Sequence, residues 1–164
     1  GGIIDTSAIK TALKEHLISG AIIDCWENEP SIDLDFLNLV DIATPHIAGY
    51  SADGKANATR MSLASIADFY KLSQEPILRV KAPEPNNPII DLNNFNNKKN
   101  SLFEAILYTY NPLIDYKSLK ASPDSFKQLR NEYPLRREYP AYTVKNIQDS
   151  DYSTFKGLGF NIEL

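Results

Sequence analysis

Two short apolar runs, Ala21 to Cys25 and Asp41 to Ala43, limit what this chain can fold into more than any other feature. Each is bounded by polar or proline-containing sequence and is far too short for a helix, the mark of a buried strand. The sequence around them is helical in pattern. Thr6 or Ser7 can cap a helix in which Ile9, Leu13 and Leu17 recur at four-residue spacing until Gly20 stops it, and Asp33 to Leu39 reads as a second, shorter helix. Helices alternating with buried strands are the grammar of a parallel α/β sheet.

Ser51 can start a long helix running to about Lys71, with Ala52, Ala56, Thr59, Leu63, Ile66, Ala67 and Tyr70 forming an apolar stripe. Beyond it, Ser73 to Pro76 and Lys81 to Pro88 are rich in proline and without periodicity, which marks a connection and places a domain boundary there. The second half reads as a strand at Ile89 to Leu92, a solvated loop over Asn93 to Asn100 and a helix over Ser101 to Tyr110 ended by Asn111-Pro112. Ser122-Pro123-Asp124-Ser125 announces a further helix through Phe126, Leu129 and Tyr133. Ala141 to Val144 reads as a strand, Asp149 to Phe155 as a helix closed by Gly157, and Gly159 to Leu164 as a last strand. The expected class is α/β in the first half and α+β in the second, divided as 1–50, a connecting helix over 51–75, and 76–164. A core of that second size is marginal alone, which makes leaning on another chain physically attractive.

Composition narrows the function. The 17 Lys and Arg residues are outnumbered by 21 Asp and Glu, and a formal charge of -4 gives no footprint for nucleic acid. The single cysteine, Cys25, has no intrachain partner, which excludes an internal disulfide framework and fits a reducing compartment, the cytoplasm. No apolar run is long enough to span a bilayer, no basic leader precedes a hydrophobic segment, and no metal is expected. The chain opens directly in apolar sequence on Gly1-Gly2-Ile3-Ile4, without an initiator methionine, which reads as a cut end.

The chemistry gathers at the two strand exits. Thr44-Pro45-His46 holds an imidazole where α/β proteins bind ligands, and a carboxylate from the neighbouring exit would orient it as a base. Glu29 is the candidate carboxylate, or else a solvated loop residue before Pro30. Asp24 lies in otherwise apolar sequence, where an ionised side chain is costly unless it meets a donor or a ligand. Cys25 reads as a small core residue. Gly49 lets the backbone approach a ligand closely and Tyr50 follows at a helix start, or the two are a turn glycine and a packed tyrosine. There is no G-x-G-x-x-G, so a complete nucleotide fold is missing. Arg130, Arg136 and Arg137 read as an anion or interface cluster, or as solvated charges paired with Glu132 and Glu138. His16 reads as a helix-surface residue.

G-I-I-D-T-S-A-I from Gly2 to Ile9, A-I-I-D-C-W-E-N-E-P from Ala21 to Pro30, and T-P-H-I-A-G from Thr44 to Gly49 together resemble the C-terminal part of the NAD-dependent D-2-hydroxyacid dehydrogenases. H-I-A-G-Y-S-A-D-G-K and F-K-Q-L-R-N-E-Y-P-L-R-R-E-Y extend the likeness over nearly the whole chain and resemble one branch of that family, acting on 4-phospho-D-erythronate in the synthesis of pyridoxal 5'-phosphate. The resemblance implies the C-terminal part of a Rossmann-type NAD-binding domain, followed by a small dimerisation domain and hence a homodimer. It implies His46 as the acid/base residue, Glu29 as the carboxylate that holds it, Asp24 at the nicotinamide end of NAD, Gly49 lining the cofactor, and Tyr50 in contact with the phosphorylated substrate.

Departures from the family pattern carry their own expectation. The arginine that would bind the substrate carboxylate should precede Gly1, the glycine-rich loop and substrate-binding domain are absent, and Cys25 replaces the usual valine. The chain by itself is therefore expected to be an inactive fragment. Two alternatives stand beside this reading: another D-2-hydroxyacid dehydrogenase, and a dimerisation or interaction module without catalysis.

Overall fold

A computed structural model describes residues 2–95 and 100–163 and divides them into two compact units. The first comprises residues 1–48 and 111–134, the second 49–110 and 135–164. This differs from the linear division expected from sequence, because residues 111–134 return to pack with the first segment.

The first unit is built on a parallel pair, β1 (Ile22–Ile23) and β2 (Ile42–Ala43), with Ile22 opposite Ile42 and Ile23 opposite Ala43. Both strands are shorter than the apolar runs that predicted them. Helix α1 (Thr6–Lys14) precedes β1, and α2 (Leu34–Leu39) precedes β2. The cap of α1 is Asp5, whose carboxylate accepts from the Ala8 amide at 2.8 Å, rather than Thr6 or Ser7. The helix also ends before Gly20. His16 adopts φ 56° and the Leu17 amide reaches back to the Ala12 carbonyl at 2.8 Å, a C-terminal closure in which His16 occupies the left-handed position usually given to glycine. Gly20 has another use: a Cβ there would collide with the Asp41 carboxylate, which accepts from the Ala21 amide at 2.8 Å and so fixes the entry to β1.

Sequence reading missed one helix. Asn111-Pro112, taken as a stop, is also a start: the Asn111 side chain accepts from the Leu113 amide at 3.1 Å, and proline at the first helical position costs no hydrogen bond. The helix it begins is Pro112–Ala121, followed by a 3-10 turn at Pro123–Ser125 and a short helix, Phe126–Asn131. Leu119 and Phe126 from this return segment are fully buried with Ile23, Trp26, Phe36, Leu37, Val40 and Ala43 in one core. Tyr116 also donates to the Val40 carbonyl at 3.4 Å.

The second unit opens with α3 (Ala52–Tyr70), capped by Ser51, whose hydroxyl accepts from Gly54 N at 2.9 Å. Of the expected stripe, only Ala56 and Ala67 are buried; Ile66 and Tyr70 are exposed. Three strands, β3 (Ile89–Asp91), β4 (Thr143–Lys145) and β5 (Asn161–Glu163), form a sheet in that order, parallel throughout. Between β3 and β4 the helix α4 (Ser101–Thr109) packs Ala105 into the core, and between β4 and β5 runs a helix at Asp149–Leu158. That last helix is closed by Gly159, at φ 93°, and not by Gly157. The core holds Ile90, Val144, Phe155 and Phe160, with Tyr139 stacked on Phe160 at 4.6 Å between centroids. The loop expected over 93–100 starts as a 3-10 turn at Leu92–Asn94, and residues 96–99 of it lie outside the described residues, as do Gly1 and Leu164 at the chain ends. Among the described residues no helix is long and apolar enough to cross a membrane.

Candidate active site

The parallel pairing of β1 and β2 puts both strand exits on one edge of the first unit, so the residues just after them are neighbours. Trp26 ties the two exits together: its indole N–H donates to the Thr44 carbonyl at 3.0 Å in a buried position, and its ring meets Phe36 edge-on at 5.4 Å. Sequence reading passed over Trp26, although a lone tryptophan beside a strand end was the available signal.

Asp24 follows β1 directly. Its Oδ1 accepts from the Thr44 hydroxyl at 2.6 Å, the Ile47 amide at 2.7 Å and the Ala48 amide at 3.2 Å. These donors answer the cost of placing a carboxylate in apolar surroundings, and they fix the backbone on both sides of His46. Oδ2 is approached by the Ala48 amide at 3.2 Å, a donor it shares with Oδ1, and by the Cys25 thiol, a weak donor at 3.9 Å. Cys25 is exposed and is not the core residue expected.

Glu29 and His46 meet. Nδ1 of His46 lies 2.8 Å from Oε2 and 3.1 Å from Oε1 of Glu29, and Oε1 also accepts from the Trp26 amide at 2.8 Å. The glutamate is therefore no solvated loop residue; its side chain is 19% exposed against 39% for the imidazole. Burial pushes the Glu29 carboxyl up, but the Trp26 N–H and the His46 ring together outweigh it and hold it below the usual glutamate value. An ionised carboxylate only accepts, so Nδ1 carries the proton of the neutral ring and Nε2 is left with the lone pair. His46 sits at φ 57° and Asn28, just before the glutamate, at φ 61°, a left-handed conformation uncommon for side-chain-bearing residues and less so for histidine and asparagine. Both turns are thus bent to bring the two side chains together. A 550 Å³ cavity of this unit is bounded by Pro45, Ser118, Gln128 and Tyr133, and none of Asp24, Glu29 or His46 lines it.

Gly49 and Tyr50 belong to the second unit. Nothing lies within 4 Å of where a Cβ on Gly49 would stand, so that backbone is open to approach. The Lys55 ammonium stands 4.4 Å from the Tyr50 ring centroid. Arg137 engages Asp53 rather than Glu132 or Glu138, and Arg136 lies 4.2 Å over the Tyr110 ring. His16 is exposed as expected, but beyond the helix end.

Residues 1–48 match the family described as D-isomer specific 2-hydroxyacid dehydrogenase, NAD binding domain. Residues 82–159 match a family described as a domain of unknown function (DUF3410). Over 98% of its length the chain is 44% identical to the erythronate-4-phosphate dehydrogenase of Porphyromonas gingivalis, covering 43% of that protein. It is 47% identical to the proteins of that name from Bacteroides fragilis, over 88% of the chain and 39% of the relative, and Bacteroides thetaiotaomicron, over 90% and 40%. The chain thus spans about two-fifths of the length of these relatives. The Rossmann-type fold and the NAD cofactor expected for the first segment agree with the matched domain.

Proposed function

We propose that the protein carrying this chain oxidises 4-phospho-D-erythronate to 2-oxo-3-hydroxy-4-phosphobutanoate with NAD, a step in the synthesis of pyridoxal 5'-phosphate. The observation that carries the reading is the 2.8 Å contact of His46 Nδ1 with Glu29, which leaves Nε2 as a base. In this reading Nε2 takes the proton of the substrate's 2-hydroxyl, and the Glu29 carboxylate stabilises the imidazolium as it forms. Asp24 Oδ2, where the stronger N–H of a carboxamide can replace the weak Cys25 thiol contact, suits the nicotinamide end of NAD, and the open backbone at Gly49 suits close passage of the cofactor. Bound NAD supplies the hydride acceptor. Tyr50 contacts the phosphorylated substrate.

The names of the relatives support the substrate, and the test is direct. Protein of the relatives' full length containing this chain, given NAD and 4-phospho-D-erythronate, should form NADH far faster than with lactate or 3-phosphoglycerate. Preference for either of the latter would assign it to another branch of the family, and no turnover of any of them would favour an interaction module.

The same reading makes the protein a cytoplasmic homodimer joined through the stretch expected as a dimerisation domain, residues 76–164, less the 111–134 segment that packs in the first unit. Exposed apolar side chains of that stretch on the second unit, among them Phe103 at 64% and Leu135 at 56%, support a covered surface, and the lone free thiol of Cys25 suits a reducing compartment. Light scattering that finds a monomer at micromolar concentration would count against the dimer.

A further inference from the structure

Two motifs far apart in the chain join inside the second unit. Arg137 donates from Nε to Asp53 Oδ2 at 2.9 Å and from Nη2 to Asp53 Oδ1 at 3.1 Å, the two-pronged pairing that a guanidinium makes with a carboxylate. The Glu138 amide donates to the same Oδ2 at 2.8 Å, while the Glu138 carboxylate accepts from the Ser51 hydroxyl at 2.6 Å. The Ala52 amide donates to the Arg136 carbonyl at 2.8 Å. Three consecutive residues, 136–138, are thereby stitched onto three others, 51–53. Arg137 also reaches the Pro83 carbonyl through Nη1, which brings the proline-rich connection into the same clasp.

The clasp is little exposed, with the Arg137 side chain at 10% and Asp53 at 25%. Removing both charges from water costs much of what their attraction returns, so net stability is a poor explanation for such a pair. What the geometry does supply is a fixed pose. Ser51 accepts from Gly54 N and donates to Glu138, so one hydroxyl is both the cap of α3 and a member of the clasp. The residue immediately before it is Tyr50, whose ring is covered by Lys55 from the same first turns of the helix.

We propose that Arg137 is a positioning residue for substrate recognition, holding Asp53 so that the first turn of α3 presents the Tyr50 ring in one orientation. The inference rests on the reading above, in which Tyr50 touches the substrate. It gives the second sequence motif, P-L-R-R-E-Y, a task in the reaction carried by the first.

A double-mutant cycle in the full-length protein tests it. Arg137→Gln should raise the KM for 4-phospho-D-erythronate by about tenfold while kcat stays within about twofold. Arg137→Lys keeps the charge but not the fork and should fall between; it also serves in the cycle if the glutamine variant is insoluble. In a Tyr50→Ala background, where KM is already raised, either Arg137 substitution should add nothing further. Additive effects in that background, or a lowered thermal midpoint with KM unchanged, would overturn the inference and leave Arg137 a purely structural residue. Failure of the unsubstituted protein to turn over 4-phospho-D-erythronate would overturn the functional reading and this inference with it.

Discussion

His46 Nδ1 and Glu29 Oε2 lie 2.8 Å apart although 17 residues separate them in the chain, and the Trp26 amide pins the same carboxylate from the other side at 2.8 Å. The imidazole is thus oriented by a group that is itself oriented. Substituting either partner should therefore act on proton transfer more than on folding.

Glu29→Gln replaces an acceptor by an amide that can donate to Nδ1, which moves the ring proton to Nε2 and removes the base. In the full-length protein this variant, and His46→Asn, should lower kcat by about a hundredfold or more. Steady-state kinetics with 4-phospho-D-erythronate and NAD measure it, and unchanged turnover would point to the interaction-module alternative.

Trp26→Phe keeps an aromatic ring in the core but leaves the buried Thr44 carbonyl without its donor. The expected loss is about 1–3 kcal/mol. Urea unfolding followed by circular dichroism reads it without relying on the tryptophan that has been removed.

Phe126→Ala tests the return of residues 111–134 to the first unit. The side chain is fully buried against residues contributed by the N-terminal segment, and its truncation should cost about 3–5 kcal/mol. A cost typical of a surface site, below about 0.5 kcal/mol, would place this segment elsewhere.

Asn111→Ala removes the cap of the helix that proline begins, and should destabilise by about 1 kcal/mol. Asn111→Asp should retain most of the stability, since its side chain can accept the same amide. Thermal melts of the three proteins distinguish a cap from an incidental contact.

Burial pushes the Asp53 carboxyl up, yet hydrogen bonds from Arg137 and the Glu138 amide and the guanidinium charge outweigh it, so its folded value lies below that of an ordinary aspartate. Because the folded value is the lower one, its contribution is fully present above the unfolded value, about 3.9, and is lost as the pH falls through the folded value. The stability difference between the wild-type protein and Asp53→Asn should accordingly shrink on acidification below about pH 4. A difference that stays constant down to pH 2 would show that the clasp does not titrate through Asp53.

The strands of the first unit were legible because apolar runs of three to five residues between polar stops have few other uses. Helix ends were less so. Asp5 rather than Thr6 caps α1, and His16 closes it, because several adjacent residue types can take either role and local geometry chooses among them. The helix after Pro112 was missed because asparagine and proline end one helix and begin the next with the same two letters. The meeting of Glu29 with His46 was within reach of sequence, since both follow short strands and parallel pairing makes their exits adjacent. The three donors on Asp24 and the partner of Arg137 were not. Those contacts join residues 20 to 84 positions apart, and nearby glutamates offered Arg137 a cheaper local pairing that the fold does not use.

The excursion of the chain away after Ala48 and back at Asn111 makes everything from Gly49 to Tyr110 an insertion between the two segments of the first unit. A gene divided at the proline-rich stretch would bequeath Ile23 and Ala43 to one product and Leu119 and Phe126 to the other. Neither heir could shield its oily interior from water alone. Recombination can therefore move the imidazole-bearing loop to a new host only if it carries the distant helices along.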